Sequence, residues 1–155
     1  MSEQEAPTAP VQVAVLGQYI RDFSFESPNA PGIFQSINEQ PAIDLGVNVQ
    51  TRPQDDGSHE VVLMMKLEAK SRDQTAFIAE LAYGGVFSLS DLPQEALKAF
   101  LMIEAPQLLF PFARSVIADA VRDGGFPQIL INPIDFAALY QQQQAQMEQP
   151  AAGSA

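Results

Sequence analysis

His59 follows Asp55 and Asp56 and precedes Glu60 in the stretch DDGSHE, which brings one imidazole and several carboxylates within reach of a single cation. Such a set would make a weak metal site at most. The Asp-Gly turn signal inside it favours a solvated loop. Gly84-Gly85 binds no phosphate, because a strand-like run surrounds the pair and no G-K-[ST] follows. Neither G-x-S-x-G nor H-E-x-x-H occurs. Cys is absent, which removes thiol nucleophiles, cysteine zinc sites and disulfides, and permits a reducing compartment. Any two of the 19 acids could converge for acid-base work, but no spacing singles out a pair. The expectation is a protein that is not an enzyme and carries no cofactor or metal.

Binding is better represented. The chain of 155 residues has a formal net charge of -11, which disfavours nucleic acid and anionic lipid and suits basic or apolar partners. Its 46% apolar content is enough for one compact domain with its own core. In DFSFESPNAPGIF three phenylalanines, Phe23, Phe25 and Phe34, surround a loop stiffened by Pro28 and Pro31. A restricted backbone loses less entropy when neighbouring aromatics capture a ligand. The start MSEQEAPTAP lacks the basic and apolar stretches of a signal peptide, and Pro106 interrupts the longest apolar run, so a cytoplasmic protein with no membrane span or direct membrane insertion is expected.

The elements that would hold these residues are strands first and helices second. Apolar side chains alternate at odd positions from Val11 to Phe25, from Ile43 to Val49 and from Val61 to Leu67, and TAFIAELAYGGVFSLS supplies a fourth run. Asp56-Gly57 marks a hairpin, and Gly84-Gly85 a bend or bulge, in a meander-like antiparallel sheet. Ser90 or Asp91 is the expected cap of a helix that Pro106 breaks. A second helix runs from about Gln107 to Arg122 and ends at Gly124-Gly125. FPQILINP is extended, and a last helix is capped by Asn132 with Pro133 at its first position. The fold class is α+β: a four-stranded antiparallel sheet with helices on one face. Residues 11–148 form the single domain, between disordered segments 1–10 and 149–155. Even positions make the other face, where acids stand beside Ile78, Val62 and Met64.

FSFESPNAP, TAFIAELAYGGVFSL, LLFPFAR and GGFPQILINPIDFAALY, in this order and at these separations, resemble the bacterial protein-export chaperone family SecB. The resemblance runs from Val11 to Gln144. It departs from some relatives in having no tryptophan after Phe34 and in carrying Ala79 where some have cysteine. It implies a homotetramer, a dimer of dimers, that holds unfolded preproteins in long grooves without hydrolysing ATP and delivers them to the motor SecA. Candidate groove residues are Phe25, Phe34, Phe87, Phe136 and Tyr140, with Pro28 and Pro31 shaping the mouth. The basic zinc-bearing tail of SecA is the implied partner of Asp22, Glu26, Ile78 and Glu80. These four share even numbering, so strand parity independently puts them opposite the apolar core. The competing expectation is a small-molecule-binding α+β domain with a closed aromatic pocket.

Overall fold

The computed structural model describes residues 12–37 and 41–148, so the terminal segments expected to be disordered lie outside the described residues. The elements in chain order are β1 (Val13–Glu26), α1 (Ile33–Ser36), β2 (Ala42–Pro53), β3 (His59–Ser71), β4 (Gln74–Leu89), α2 (Gln94–Ala99), a π-helical turn (Phe100–Glu104), α3 (Ala105–Asp123) and α4 (Phe136–Glu148). The strands form one antiparallel sheet in the order β1-β4-β3-β2. This corrects the meander. β2, β3 and β4 follow one another as hairpins, but β1 joins the far side of β4, and the connection carrying the prolines crosses to the opposite edge. Ser27 Oγ donates to the Ala76 carbonyl at 3.0 Å, Asn29 Nδ2 donates to the Thr75 carbonyl at 3.0 Å, and buried Ile33 anchors the crossing to the core.

Alternation sorts most of β3 and β4 as expected, with Val61, Leu63, Met65, Leu67, Phe77, Ala79, Leu81 and Phe87 buried beneath the helices, but Val62 on the outer face is buried too, in the row of Gly84 and Tyr19. In β1 it holds only at the ends. Register shifts at Leu16 and Arg21 each add one residue, so Gly17 and Tyr19 turn to the outer face opposite Val86 and Gly84, while Phe23 and Phe25 return to the core side. The second extra residue cancels the first. The bulges are therefore on β1 and not at Gly84-Gly85, which stays regularly paired. Those glycines serve close approach instead: a Cβ on Gly84 would lie 2.6 Å from the Tyr19 ring, and one on Gly85 would lie 2.8 Å from Leu109.

Tyr19 crosses Gly84 to donate its hydroxyl proton to Glu60, which also pairs with Arg21 at 2.9 Å. Burial first, then the Glu60 carboxylate, pushes the phenol up to about 12. Because the folded value is raised, this contribution to stability is complete below pH 10 and is lost as pH rises through about 12.

The helical segments join into one helix from Gln94 to Asp123, which corrects the break at Pro106. At the π turn the Ala105 N–H reaches back five residues to the Phe100 carbonyl, and this wider turn precedes the proline that has no N–H to give. Pro111 is also held inside α3. The continuous helix is long and apolar enough to cross a membrane by length and composition, with a mean hydropathy of 1.3 in its most apolar window, contrary to expectation. Leu101, Ala105, Leu109, Ala113, Ile117 and Val121 are nevertheless buried in the core shared with the sheet.

The helix boundaries also move. α2 begins after Pro93 without a side-chain cap, because the Ser90 hydroxyl accepts from the Gln12 N–H at 3.2 Å and extends the β1-β4 pairing. α4 starts at Phe136, where Asp135 and not Asn132 caps: its Oδ1 accepts from the Ala138 N–H at 3.0 Å.

Gly84→Ala should lower stability by about 1–2 kcal/mol, since the Tyr19 ring cannot swing aside without surrendering Glu60. In a Tyr19→Ala background the same change should be neutral to within about 0.5 kcal/mol. Urea unfolding of the three variants checks this, and equal costs in both backgrounds would show that the ring is free to move.

Candidate functional site

The Asp56 carboxylate accepts from both the Ser58 N–H at 3.0 Å and the Ser58 hydroxyl at 2.5 Å, and these bonds lower its pKa. His59 is the first residue of β3, paired with Pro53 and Phe87. Among the described residues no cluster of metal-ligating side chains forms.

On the helix side an aromatic ladder rises from the core to the surface. Phe77, fully buried, stacks on Phe25 at 5.6 Å and tilts against Phe126 at 5.0 Å, and Phe126 in turn meets Phe34 at 5.0 Å. Phe34 is 41% exposed, so the ladder opens to solvent and does not close into a pocket. Its position depends on how α3 ends. The Phe126 N–H bonds the Val121 carbonyl and the Gly125 N–H bonds the Arg122 carbonyl, a Schellman closure with Gly125 left-handed at φ 92°. The pair also leaves room for the rings: a Cβ on Gly124 would lie 2.5 Å from Phe25, and one on Gly125 would lie 3.2 Å from Phe34. Pro28 and Pro31 are exposed in the adjoining loop, where the Ala30-Pro31 peptide is cis.

The structure brings together only part of the expected aromatic set. Phe25, Phe34 and the two prolines share this region. Phe87 is fully buried against Phe100, and Phe136, 3% exposed, meets Phe110 edge-on at 6.2 Å, so both belong to the core and present no ring at the surface. The physical reason is the one that recommended them: an aromatic at a core-parity position is the first to be covered by a helix. Tyr140 is half-buried on α4, its hydroxyl accepting from Gln144 Nε2 at 2.7 Å.

A groove of about 360 Å³ lies between the β2 edge and the extended segment before α4, lined by Ile43, Leu45, Leu67, Ile129, Leu130 and Ile134. Sequence reading treated QILIN only as a connection, although Leu130 is 80% exposed in a run too apolar for a free loop. That mismatch was the available signal.

The outer sheet face is separate from both. Register places Asn48, Met64, Ala82 and Asp22 in one row, Gly46, Lys66, Glu80 and Ser24 in the next, and Asp44, Glu68, Ile78 and Glu26 in the third. Asp22, Glu26 and Glu80 are exposed and Ile78 is half-buried, so the four residues expected on this face meet there.

Open apolar surface on the helix side and an acidic sheet face behind it are two surfaces suited to macromolecular partners. The family described as preprotein translocase subunit SecB matches residues 4–147, and the chain belongs to the SecB family. The protein-export protein SecB of Rhizorhabdus wittichii is 50% identical over 87% of this chain and 81% of its own length. That of Granulibacter bethesdensis is 45% identical, covering 96% and 92% respectively. The fold is shared with a SecB-like chaperone of Mycobacterium tuberculosis in complex with a ChAD peptide from an antitoxin, with a TM-score of 0.65 at 14% identity over 79% of this chain and 90% of that one.

Gly124→Ala should displace Phe25 from the ladder, because the ring is already confined by Phe77 and Phe126. A loss of about 1–3 kcal/mol in denaturant unfolding is expected. An unchanged midpoint would mean that the ladder yields without cost.

Proposed function

We propose that the chain captures unfolded preproteins in the cytosol without ATP, keeps them competent for translocation and hands them to the SecA motor. Its class follows from family membership: a chaperone of protein export and not an enzyme. The observation that carries the mechanism is the separation of two surfaces by one sheet. Apolar ladder and groove lie on the helix side, and the acidic rows lie on the outer face, so client and motor can be held together.

Client capture is assigned to Phe25 and Phe34 beside Pro28 and Pro31, continued by the groove at Leu130, with Tyr140 a further candidate. Rigid apolar surface accepts many sequences by area rather than by side-chain pattern. Phe87 and Phe136 act through packing alone. The outer face, through Asp22, Glu26, Ile78 and Glu80, receives the basic zinc-bearing tail of SecA, the zinc belonging to that partner. The working form is a dimer of dimers. β1 is an edge strand with Val13, Val15, Leu16 and Ile20 exposed, and α3 turns Leu108 and Phe112 to solvent one turn apart, which supports two kinds of contact between copies. Sedimentation should find a tetramer at micromolar concentration.

Phe34→Ala removes an exposed ring and should leave the fold intact. It is expected to weaken binding of a long non-folding preprotein roughly tenfold, with a less negative heat-capacity change in calorimetry. Unaltered affinity would remove the ladder from the client path. Asp22→Lys with Glu80→Lys should abolish binding of the SecA tail while client capture and the tetramer persist, and parallel loss of client binding would show that the acidic face has another task.

A further inference from the structure

The outer face contains a depression of about 440 Å³ whose surroundings include Gly46, Met64, Lys66, Glu80, Ala82 and Asp22. The small residues Gly46 and Ala82 open it, and Met64, 36% exposed, gives it an apolar wall. Its acids are not equivalent. Lys66 Nζ lies 3.6 Å from Glu80 Oε1 across the β3-β4 pair, whereas Asp22 and Glu26 make no ion pair among the described residues. Lys70 similarly stands 3.9 Å from Glu68 in the neighbouring part of the face.

We infer that Lys66 is a built-in competitor for the basic partner of this face, a specificity-determining residue that occupies Glu80 until a segment of higher positive charge displaces it. The inference rests on the assignment of the outer face to the SecA tail. A partner ammonium or guanidinium that reaches Glu80 must expel the Lys66 ammonium, so this contact is an exchange of one exposed ion pair for another and adds little. Net gain comes from Asp22 and Glu26, which hold no cation, and from an apolar side chain entering the depression beside Met64. A segment with a single positive charge gains almost nothing by the exchange. One with several charges around an apolar residue gains at Asp22, at Glu26 and in the depression beside Met64. Lys66 thus keeps a strongly acidic chaperone from collecting singly charged segments of its own clients at Glu80.

The side chains of Lys66 and Glu80 are 60% and 56% exposed, so Lys66→Gln is compatible with the fold. The zinc-loaded SecA tail peptide is titrated by calorimetry against wild type, Lys66→Gln and the double variant with Asp22→Lys and Glu80→Lys, at low and moderate salt. A peptide of equal length carrying one lysine serves as the second probe. Lys66→Gln should tighten the tail about two- to fivefold at low salt, less at moderate salt, and should tighten the singly charged peptide by a larger factor. If the double variant loses the tail while Lys66→Gln leaves both affinities unchanged or weaker, the face is correctly assigned and Lys66 is no competitor. Tightening of the tail alone would refute the selectivity role. Should the double variant keep its affinity, the assignment of the face fails and this inference fails with it.

Discussion

The close approach of a long helix to one face of the sheet is the constraint on which the other features depend. Small residues among the larger ones of that core let the two come close. Ala69, Ala79, Ala105 and Ala113 are all fully buried, and Gly85 leaves the space that Leu109 fills. Larger side chains there would lift α3 away, and the apolar faces of β3 and β4 would lose the contacts that a dense interior provides. The helix is long enough to cover the sheet only because the π turn ahead of Pro106 keeps it continuous. Its far end then falls where β1 and β4 bring Phe25 and Phe77 together, and Gly124-Gly125 stops it against those rings.

The same closeness creates the functional surface. Phe126 follows the glycine pair directly and is drawn into the core by its Schellman bond to Val121, so the aromatic ladder is a continuation of the core into solvent. The exposed face of Phe34 is therefore backed by packed residues, and such a surface needs little ordering to bind anything laid on it. On the opposite face the pleat sends every second side chain outward, and glycine and alanine among them leave a depression with acids around it. One sheet thus carries an apolar surface on its helix side and an acidic one on the other.

Much of this was legible in the sequence. Period-two alternation located β2, β3 and β4, and it placed Asp22, Glu26, Ile78 and Glu80 on a common face before any register was known. It succeeded for Asp22 and Glu26 for a reason that parity alone did not contain: β1 carries a bulge before each of two shifts, and the second restores what the first reversed. Tyr19, between them, was assigned to the wrong face. The order of the strands was not legible either, because local pattern says which face a residue takes and nothing about which neighbour its strand chooses. Pro106 misled for a related reason. A missing N–H disrupts an α-helical turn, but a wider turn has no need of it, and no composition rule reveals that the preceding residues will adopt one.

The aromatic residues show where parity stops being informative about function. Phe25, Phe77 and Phe87 all occupy core-side positions, yet Phe87 is sealed beneath the helix and Phe25 lies at the edge of the covered area. What separates them is place in the sheet: Phe25 stands on the edge strand β1, whereas Phe77 and Phe87 stand on the inner strand β4, and which strand takes the edge is a tertiary quantity. Sequence reading could name an apolar face with more aromatics than a core requires. The glycine pair that ends α3 then fits the rings at that edge, Gly124 against Phe25 and left-handed Gly125 against Phe34, which stays exposed.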